Sequence, residues 1–232
     1  MTGQLAYTSN TPSPYSSITS TGGSVTLSGS NMIAYGSGTF TGSLGSGSVI
    51  ETGSVATLDG GTMNWGRWVG PGITVTDSFG SHSNPQSGVP YVYGTTNTTL
   101  PTTGTFTYSY AGGPNPTNAA GAVGTFGGGS FLVNFTSGTF SISTPLSMSV
   151  GGVNYSLTAC SAGCTISGVT LGGGTPTNFT GSCSGGACST SAPIATAGAG
   201  GVFTGPQGRG LAVSGNIFSP APAVAYSGAF TR

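Results

Sequence analysis

Four cysteines carry the most distinctive chemistry of this chain, and they lie in one short stretch. They are Cys160, Cys164, Cys183 and Cys188, with three residues inside the first pair and four inside the second. Thiolates in this layout can hold one zinc ion tetrahedrally. Two disulfides that pin glycine-rich loops in an oxidising compartment are the alternative. We expect disulfides, because the chain has no lysine and no helical pattern, and its strand-rich sequence is typical of a secreted protein. Local pairing within each pair is favoured, and both crossed pairings stay open.

His82 is the only histidine, and a Ser-His-Asp hydrolase would have to use it with Asp59 or Asp77. The chain has no Gly-x-Ser-x-Gly pattern between a strand and a helix that would present a nucleophilic serine. Glycosidase chemistry needs two carboxylates that face one cleft, and Glu51 is the only further acidic residue. We therefore expect no enzymatic activity, no cofactor and no bound metal.

The densest cluster of chemically versatile side chains is Trp65, Arg67 and Trp68. On a strand, Trp65 and Arg67 share one face and Trp68 takes the other. An arginine beside an indole could hold a carboxylate or an aromatic ligand through a cation–π contact. In the structural interpretation, which we favour, Arg67 lies inside the mouth of a β-barrel, the fold predicted below. It pairs there with Asp59 or Asp77, because a buried arginine needs a partner. Trp68 then fills the core.

Tyrosines offer a second set of candidate contacts. Tyr91, Tyr93, Tyr108 and Tyr110 could form an exposed patch, as tyrosines do at binding surfaces. Their alternation fits a core face with hydroxyls at the rim equally well. The candidate contacts for a partner or ligand are Trp65, Arg67, Tyr91, Tyr93 and Arg209.

Charge is nearly absent, since three arginines and three acidic residues are the only charged side chains and the net charge is zero. About a quarter of the residues of a typical soluble domain are charged, so hydroxyl groups and backbone must hydrate this surface. A nucleic-acid binder needs Lys and Arg to neutralise phosphates, and a membrane-surface binder needs a polybasic patch. The composition excludes both. A net charge near zero also favours self-association.

The elements that must position these residues are strands, because apolar and small polar residues alternate nearly everywhere. From residue 140 to 150 the even positions are Phe, Ile, Thr, Leu, Met and Val, and most odd positions are Ser. Pro145 interrupts this segment and indicates an edge, a bulge or a break, since proline cannot donate to a sheet. The pattern predicts an antiparallel all-β protein with a closed barrel of about eight strands.

The first part of the chain, residues 1–60, is richer in Ser and Gly and poorer in aromatic residues than the rest. A separate domain of that composition would have too small a core. We predict a β extension over residues 1–60 that packs on a barrel over residues 61–232, or on a neighbouring subunit. The first ten residues have neither the basic region nor the apolar core of a signal peptide.

Short glycine and aromatic motifs in the second part of the chain form a familiar set. They are G-V-F-T-G-P at 201–206, G-L-A-V-S-G at 210–215, G-A-F at 228–230, W-G-R-W at 65–68, Y-V-Y-G at 91–94 and L-P-T-T-G-T-F-T-Y at 100–108. Together they resemble the C-terminal β-barrel of transferrin-binding-protein-like bacterial surface proteins, in particular that of some FecR-domain proteins of Gram-negative bacteria. The resemblance implies an up-and-down, lipocalin-like barrel of about eight strands, displayed outside the cytoplasm as a binding module. This sequence has no lipidated N-terminal cysteine and no FecR domain.

Two functions from different classes follow. The first is a non-enzymatic extracytoplasmic module that binds a protein partner or a small solute through its loops. The second is a structural subunit of an extracellular filament or surface layer, in which copies of the chain assemble by β-strand addition. Residues 1–60 discriminate between them: folding onto their own barrel favours the first function, and reaching into a neighbour favours the second. Both place the chain at the cell surface or outside the cell.

Overall fold

The computed structural model describes residues 1–5, 23–38, 40–77, 80–83, 88–96, 99–162, 164–171, 177–186, 188–194, 196–219 and 222–232. These residues form almost nothing but β-strands, which confirms the all-β prediction. Residues 6–10, which belong to the stretch without signal-peptide features, lie outside the described residues. Within the described ranges, no helix is long and apolar enough to cross a membrane.

Nine strands form one antiparallel sheet, called here the N-terminal sheet. They are β1 (Thr2–Leu5), β2 (Gly23–Ser28), β3 (Asn31–Ser37), β4 (Phe40–Ser43), β5 (Ser48–Ala56), β6 (Thr62–Val69), β7 (Thr74–Asp77), β8 (Gly80–Ser83) and β9 (Val89–Gly94). They pair in the order β5-β6-β9-β1-β2-β3-β4-β7-β8. The sheet encloses an apolar core of its own, which includes Trp68, Tyr91 and Tyr93.

Eight later strands close into an antiparallel barrel, as predicted. They are β10 (Thr105–Gly112), β12 (Thr125–Asn134), β13 (Thr139–Val150), β14 (Val153–Ala162), β17 (Thr177–Gly185), β19 (Thr196–Thr204), β20 (Gly210–Ser219) and β21 (Val224–Thr231). Each pairs with the next in this series, and β21 pairs with β10 to close the ring. Short strands flank it: β11 (Thr117–Asn118), β15 (Ile166–Ser167), β16 (Thr170–Leu171) and β18 (Cys188–Pro193).

Pro145 lies in a bulge of β13, one of the three outcomes predicted for it. Thr144 pairs with Ser130, whereas Ser147 pairs with Gly128, so the register shifts across the proline. The backbone opposite is crowded, because a Cβ on Gly129 would lie 2.8 Å from the Pro145 carbonyl oxygen. Proline is accepted here because a bulged residue leaves the ladder of backbone hydrogen bonds.

Aromatic and aliphatic side chains fill the barrel interior. The ring of Phe131 lies 5.0 to 6.2 Å, between centroids, from those of Phe140, Phe179 and Phe230. Each of these four side chains is at most 4% exposed. An interior packed in this way is a core rather than a ligand cavity, so any ligand contact must lie at the loops or ends of the barrel.

Strands β6 and β9 belong to the N-terminal sheet, so the predicted boundary at residues 60 and 61 is wrong for them. β6 pairs with β5 on one side and with β9 on the other. The first barrel strand begins only at Thr105. Alternation identifies a strand and its two faces, but it does not identify the partner strand. The resemblance, which includes the motifs at residues 65–68 and 91–94, placed these strands in the barrel.

The N-terminal sheet packs on the barrel of its own chain. Ser227 Oγ of β21 donates to the carbonyl oxygen of Pro90 in β9 over 3.1 Å. β1 pairs with β2 and β9 of the same chain. The apolar cluster between the sheet and the barrel consists of Met63, Val92, Val202, Ala212 and Ala229. The described strands among residues 1–60 thus belong to a sheet that is completed by β6 and β9 of the same chain.

Candidate functional site

Arg67 forms a largely buried ion pair, but its partner is Glu51. Arg67 Nε donates to Glu51 Oε2 over 3.1 Å, and Nη2 donates to Oε1 over 2.6 Å. The expected partners Asp59 and Asp77 are therefore wrong. So is the expected place in the barrel mouth, because Arg67 lies on β6 of the N-terminal sheet.

A bulge in β5 brings Glu51 to Arg67. Ile50 lies opposite Arg67 and Gly53 lies opposite Trp65, so two residues of β5 face one residue of β6. Glu51 takes a left-handed φ of 54° inside this bulge. Without the bulge, strict alternation would put Glu51 on the face opposite Ile50 and away from Arg67. A residue count along the sequence therefore points to the wrong carboxylate.

The carboxylate of Glu51 also joins the sheet to the segment that follows β10. Its Oε2 accepts a hydrogen bond from the backbone amide of Asn115 over 3.0 Å. Burial alone would raise the pKa of Glu51, but the hydrogen bonds from Arg67 and Asn115 outweigh it and hold this pKa below its usual 4.5. This ion pair is a structural junction between the N-terminal sheet and the segment that follows β10.

The two tryptophans lie on opposite faces of β6, as predicted. Trp68 is fully buried, and its Nε1 donates to the carbonyl oxygen of Met32 over 2.6 Å. The half-buried ring of Trp65 lies against Gly53 of β5 and Gly112 of β10, where an added Cβ would come within 2.5 Å of the indole. Both side chains support the packing of the sheet, and Trp65 also contacts the barrel.

Tyr91 and Tyr93 are core residues, with exposures of 0% and 1%. Their rings stack at 6.3 Å between centroids, and the Tyr93 hydroxyl donates to the Ser30 carbonyl oxygen over 2.5 Å. Burial raises the pKa of Tyr91 to about 12. Tyr108 is buried inside the barrel, and half-buried Tyr110 stacks on Phe126. The tyrosines therefore lie on core faces of their strands and do not form an exposed patch.

All four cysteines form disulfides with the predicted local pairing, Cys160 with Cys164 and Cys183 with Cys188. Disulfide sulfurs are not thiolate ligands, so the zinc hypothesis is wrong. Cys183 and Cys188, each 2% exposed, join β17 to β18 against the barrel core. Among the described residues, no three His, Cys, Asp or Glu side chains form a metal-binding group.

Removing the buried disulfide is expected to destabilise the chain measurably. For the double variant C183A/C188A we expect the free energy of unfolding to fall by about 2 kcal/mol, because the bond restricts a short loop in the unfolded chain. Urea unfolding followed by tryptophan fluorescence measures this. The matched control is C160A/C164A, whose bond lies nearer the surface and should cost no more. Equal stability of C183A/C188A and the wild type would contradict the assignment of this bond.

His82 lies on β8 beside Asp77, with 3.4 Å between Nε2 and Oδ1. Both residues belong to the short β7–β8 hairpin, in which the hydroxyls of Thr76 and Ser81 are 2.8 Å apart. The histidine and aspartate side chains are 16% and 7% exposed. This local pair fits the structural interpretation of the histidine.

One open cavity lies at the barrel end where β10 begins and β21 ends. We call it the two-arginine pocket, and its volume is about 480 Å³. Its walls come from the β9–β10 connection, the start of β10, the β19–β20 turn and the end of the chain. They are lined by Thr99, Leu100, Pro101, Thr102, Phe106, Gln207, Arg209 and Arg232. Arg209, one of the predicted contact residues, thus lines this cavity.

Arg209 and Arg232 differ in how they are held. Arg209 forms an ion pair with Asp59, from the β5–β6 turn, and both side chains are about a quarter exposed. The guanidinium carbon of Arg232 lies 3.9 Å from the centroid of the Phe106 ring. Arg232 Nη2 also donates to the carbonyl oxygen of Gln207 over 2.8 Å. Ring and carbonyl fix the orientation of Arg232 without neutralising its charge.

The turn that supports this pocket is hydrogen-bonded to the barrel. A short 3-10 turn, Pro206–Gly208, connects β19 to β20, and Gln207 has a left-handed φ of 52°. The buried hydroxyl of Tyr108 donates to the Gly208 carbonyl oxygen over 2.5 Å. The amide of Gly205 donates to the Thr95 carbonyl oxygen over 2.7 Å. The pocket wall is therefore held from both the barrel and the segment after β9.

Sequence reasoning missed Arg232 and Phe106 as site residues. Phe106 follows the alternating pattern of β10 and so reads as a core residue. Arg232 is the last residue of the sequence, and no charged residue lies near it along the chain. The one available signal was the scarcity of charge: in a chain with only three arginines, each arginine is a candidate for a structural or binding role.

No protein-family model and no curated protein sequence matches the chain. Solved structures with a similar backbone include a mutant of transferrin-binding protein B from Haemophilus parasuis, the intact Ap-TbpB with its N and C lobes, and a surface lipoprotein. Their sequence identities are 12%, 14% and 13%, and their TM-scores are 0.40, 0.41 and 0.38. The matches cover 82%, 99% and 73% of this chain and 38%, 46% and 76% of those structures.

The chain thus spans less than half the length of these two transferrin-binding structures. They belong to the class named by the sequence resemblance, whereas the FecR part of that resemblance gains no support. At these TM-scores, the barrel assignment rests on the strand pairing of the chain itself.

Proposed function

We propose that this chain is a non-enzymatic binding module of the extracytoplasmic compartment that holds a small solute in the two-arginine pocket. The observation that carries the proposal is the combination of a filled barrel interior and an open cavity at the barrel end. A volume of about 480 Å³ lies within the usual range for small-molecule sites. The hydrogen-bonded turn and the stacked Arg232 support the shape of the pocket without a ligand.

The compartment is inferred from chemistry. Two disulfides in a small β-protein are typical of oxidising environments. The surface has almost no charge, and the chain offers no polybasic patch for a membrane or a nucleic acid. We place the module at the outer surface of a Gram-negative cell, as the resemblance implies.

No described feature favours a filament subunit. β5 and β8 are the two edge strands of the N-terminal sheet; β8 has only 4 residues, and β5 contains the bulge at Glu51. A bulge and a charged residue turned inward both hinder a further strand from pairing along an edge. β1 already pairs with two strands of its own chain.

Amide chemical-shift mapping tests the proposed function. The probes are sodium phenylacetate, sodium acetate, sodium phosphate, 2-phenylethanol and phenethylamine, each added at millimolar concentration to the nitrogen-15-labelled chain. We expect at least one probe to shift the amides of Thr102, Gln207 and Arg232. The amides of Gly151 and Gly185, in turns at the other end of the barrel, should not move.

A matched pair of variants makes this test specific. T102W places a bulky ring in the pocket wall, whereas T103W changes the next exposed residue, which does not line the cavity. We expect T102W to lose the probe shifts and T103W to keep them. Shifts elsewhere only, or equal shifts in the two variants, would overturn the proposed function.

A further inference from the structure

We infer that the two-arginine pocket selects a monocarboxylate that carries an apolar or aromatic group, with Arg232 as its anchor. This inference rests on the proposed function and narrows its ligand to one chemical class. It follows from the charges, the stacking geometry and the apolar walls of the pocket.

The first step is the distribution of charge. The chain has three acidic side chains, and each is already paired: Glu51 with Arg67, Asp59 with Arg209 and Asp77 with His82. All of these residues belong to the described part of the chain. Arg232 is therefore the arginine without a carboxylate side chain as its partner. Its half-buried position makes an anionic partner more favourable than it would be at an open surface.

The second step is the orientation of the guanidinium. Arg232 lies over the Phe106 ring at 3.9 Å and is 5.8 Å from the centroid of the Tyr108 ring. A guanidinium with one face on a ring keeps N–H groups at its edge, which can bind a planar carboxylate through two hydrogen bonds. One of its nitrogens is fixed by the Gln207 carbonyl oxygen. The anchor is thus oriented before the ligand binds.

The third step is the nature of the pocket walls. Leu100, Pro101 and Phe106 supply apolar surface beside Arg232, and the threonines and Gln207 supply hydrogen-bonding groups. A free inorganic anion would leave this apolar surface in water. A ligand with an apolar group next to its carboxylate covers it, and each buried methylene contributes about 0.8 kcal/mol.

The fourth step separates a monoanion from a dianion. Arg209 lines the same pocket, but Asp59 neutralises it. Arg232 therefore supplies the one positive charge of the pocket that no carboxylate side chain compensates. A phosphate ester carries about two negative charges at pH 7, and its second charge would have no partner and would lie near Asp59. A carboxylate matches the single charge.

Titrations with four related probes test this selectivity, using NMR shifts of the full chain. Phenylacetate carries both features, acetate lacks the ring, 2-phenylethanol lacks the charge, and benzyl phosphate carries a second charge. We expect phenylacetate to bind about tenfold more tightly than each of the others. We also expect R232Q to weaken phenylacetate binding about tenfold or more, and R232K to lie between R232Q and the wild type because it keeps the charge but loses the planar fork.

The outcomes separate the inference from the proposed function. Tighter binding of benzyl phosphate or 2-phenylethanol at the pocket amides would overturn the carboxylate class and leave the proposed function standing. If wild type and R232Q are both folded by circular dichroism and bind phenylacetate equally well, Arg232 is not the anchor. Shifts at the pocket amides with none of the probes would overturn both proposals, because the wild-type measurement does not depend on the folding of any variant.

Discussion

Replacing Glu51 with glutamine is expected to lower the free energy of unfolding by about 2 to 3 kcal/mol at pH 7. The guanidinium of Arg67, only 7% exposed, would keep its buried position and lose its charged partner. Breaking a fully buried ion pair costs about 3 to 5 kcal/mol, and the expected value is smaller because the Glu51 side chain is 23% exposed. Urea unfolding of wild type and E51Q measures it.

The pH dependence of this effect has a definite sign. The pKa of Glu51 is lower in the folded chain than its usual 4.5. A group with a lowered folded pKa adds stability that is fully present above the unfolded pKa and is lost as the pH falls through the folded pKa. The difference between wild type and E51Q should therefore be largest at neutral pH and shrink below about pH 4.5. A difference that stays constant from pH 7 to pH 3 would contradict the assigned ion pair.

Asp59 provides the matched control for Glu51. It forms an ion pair with Arg209, but both side chains are about a quarter exposed. Exposed ion pairs contribute at most about 1 kcal/mol, so D59N should be clearly milder than E51Q. Equal losses in the two variants would mean that the burial of Arg67 has no special effect.

Replacing Trp68 with alanine is expected to lower the free energy of unfolding by about 3 to 5 kcal/mol. The ring is fully buried in the core of the N-terminal sheet. The change leaves a cavity and removes the hydrogen bond from Nε1 to the Met32 carbonyl oxygen. Thermal and urea unfolding measure the loss.

Trp68→Phe separates the two contributions. It keeps most of the apolar volume and loses the hydrogen bond, so we expect a loss of about 1 to 3 kcal/mol. Since Trp68 contacts the core of the N-terminal sheet, folded W68F should bind phenylacetate like the wild type. A W68A variant as stable as the wild type would mean that the Trp68 side chain is exposed to solvent and is not part of a core.

The barrel could be predicted from sequence because it depends on local alternation. In β13, the residues at 140, 146, 148 and 150 are buried as their even spacing indicates. The disulfide pairing is also local, with separations of 4 and 5 residues, and the sequence favoured it while leaving the crossed pairings open. Pro145, which has no amide hydrogen to donate, indicated an edge, a bulge or a break, and the structure has the bulge.

Partners that are distant in sequence could not be predicted. The period of two gives β6 and β9 their faces, but not the sheet in which they pair. The bulge in β5 turns Glu51 toward Arg67, which therefore pairs with Glu51 and not with either of the two aspartates expected from the sequence. Arg232 meets Phe106 only because β21 pairs with β10 to close the barrel. The candidate site thus forms because the barrel closes and brings distant residues together, and no sequence motif marks it.

The state of assembly of the purified chain tests most directly whether it is a self-contained binding module. Static light scattering and negative-stain microscopy, in low and in high salt, would measure it. We expect a compact monomer near 22.4 kDa under both conditions, because the N-terminal strands pair within their own chain and the edge at β5 is bulged. Filaments or large ordered oligomers that persist in high salt would contradict the account and would make the chain a structural subunit.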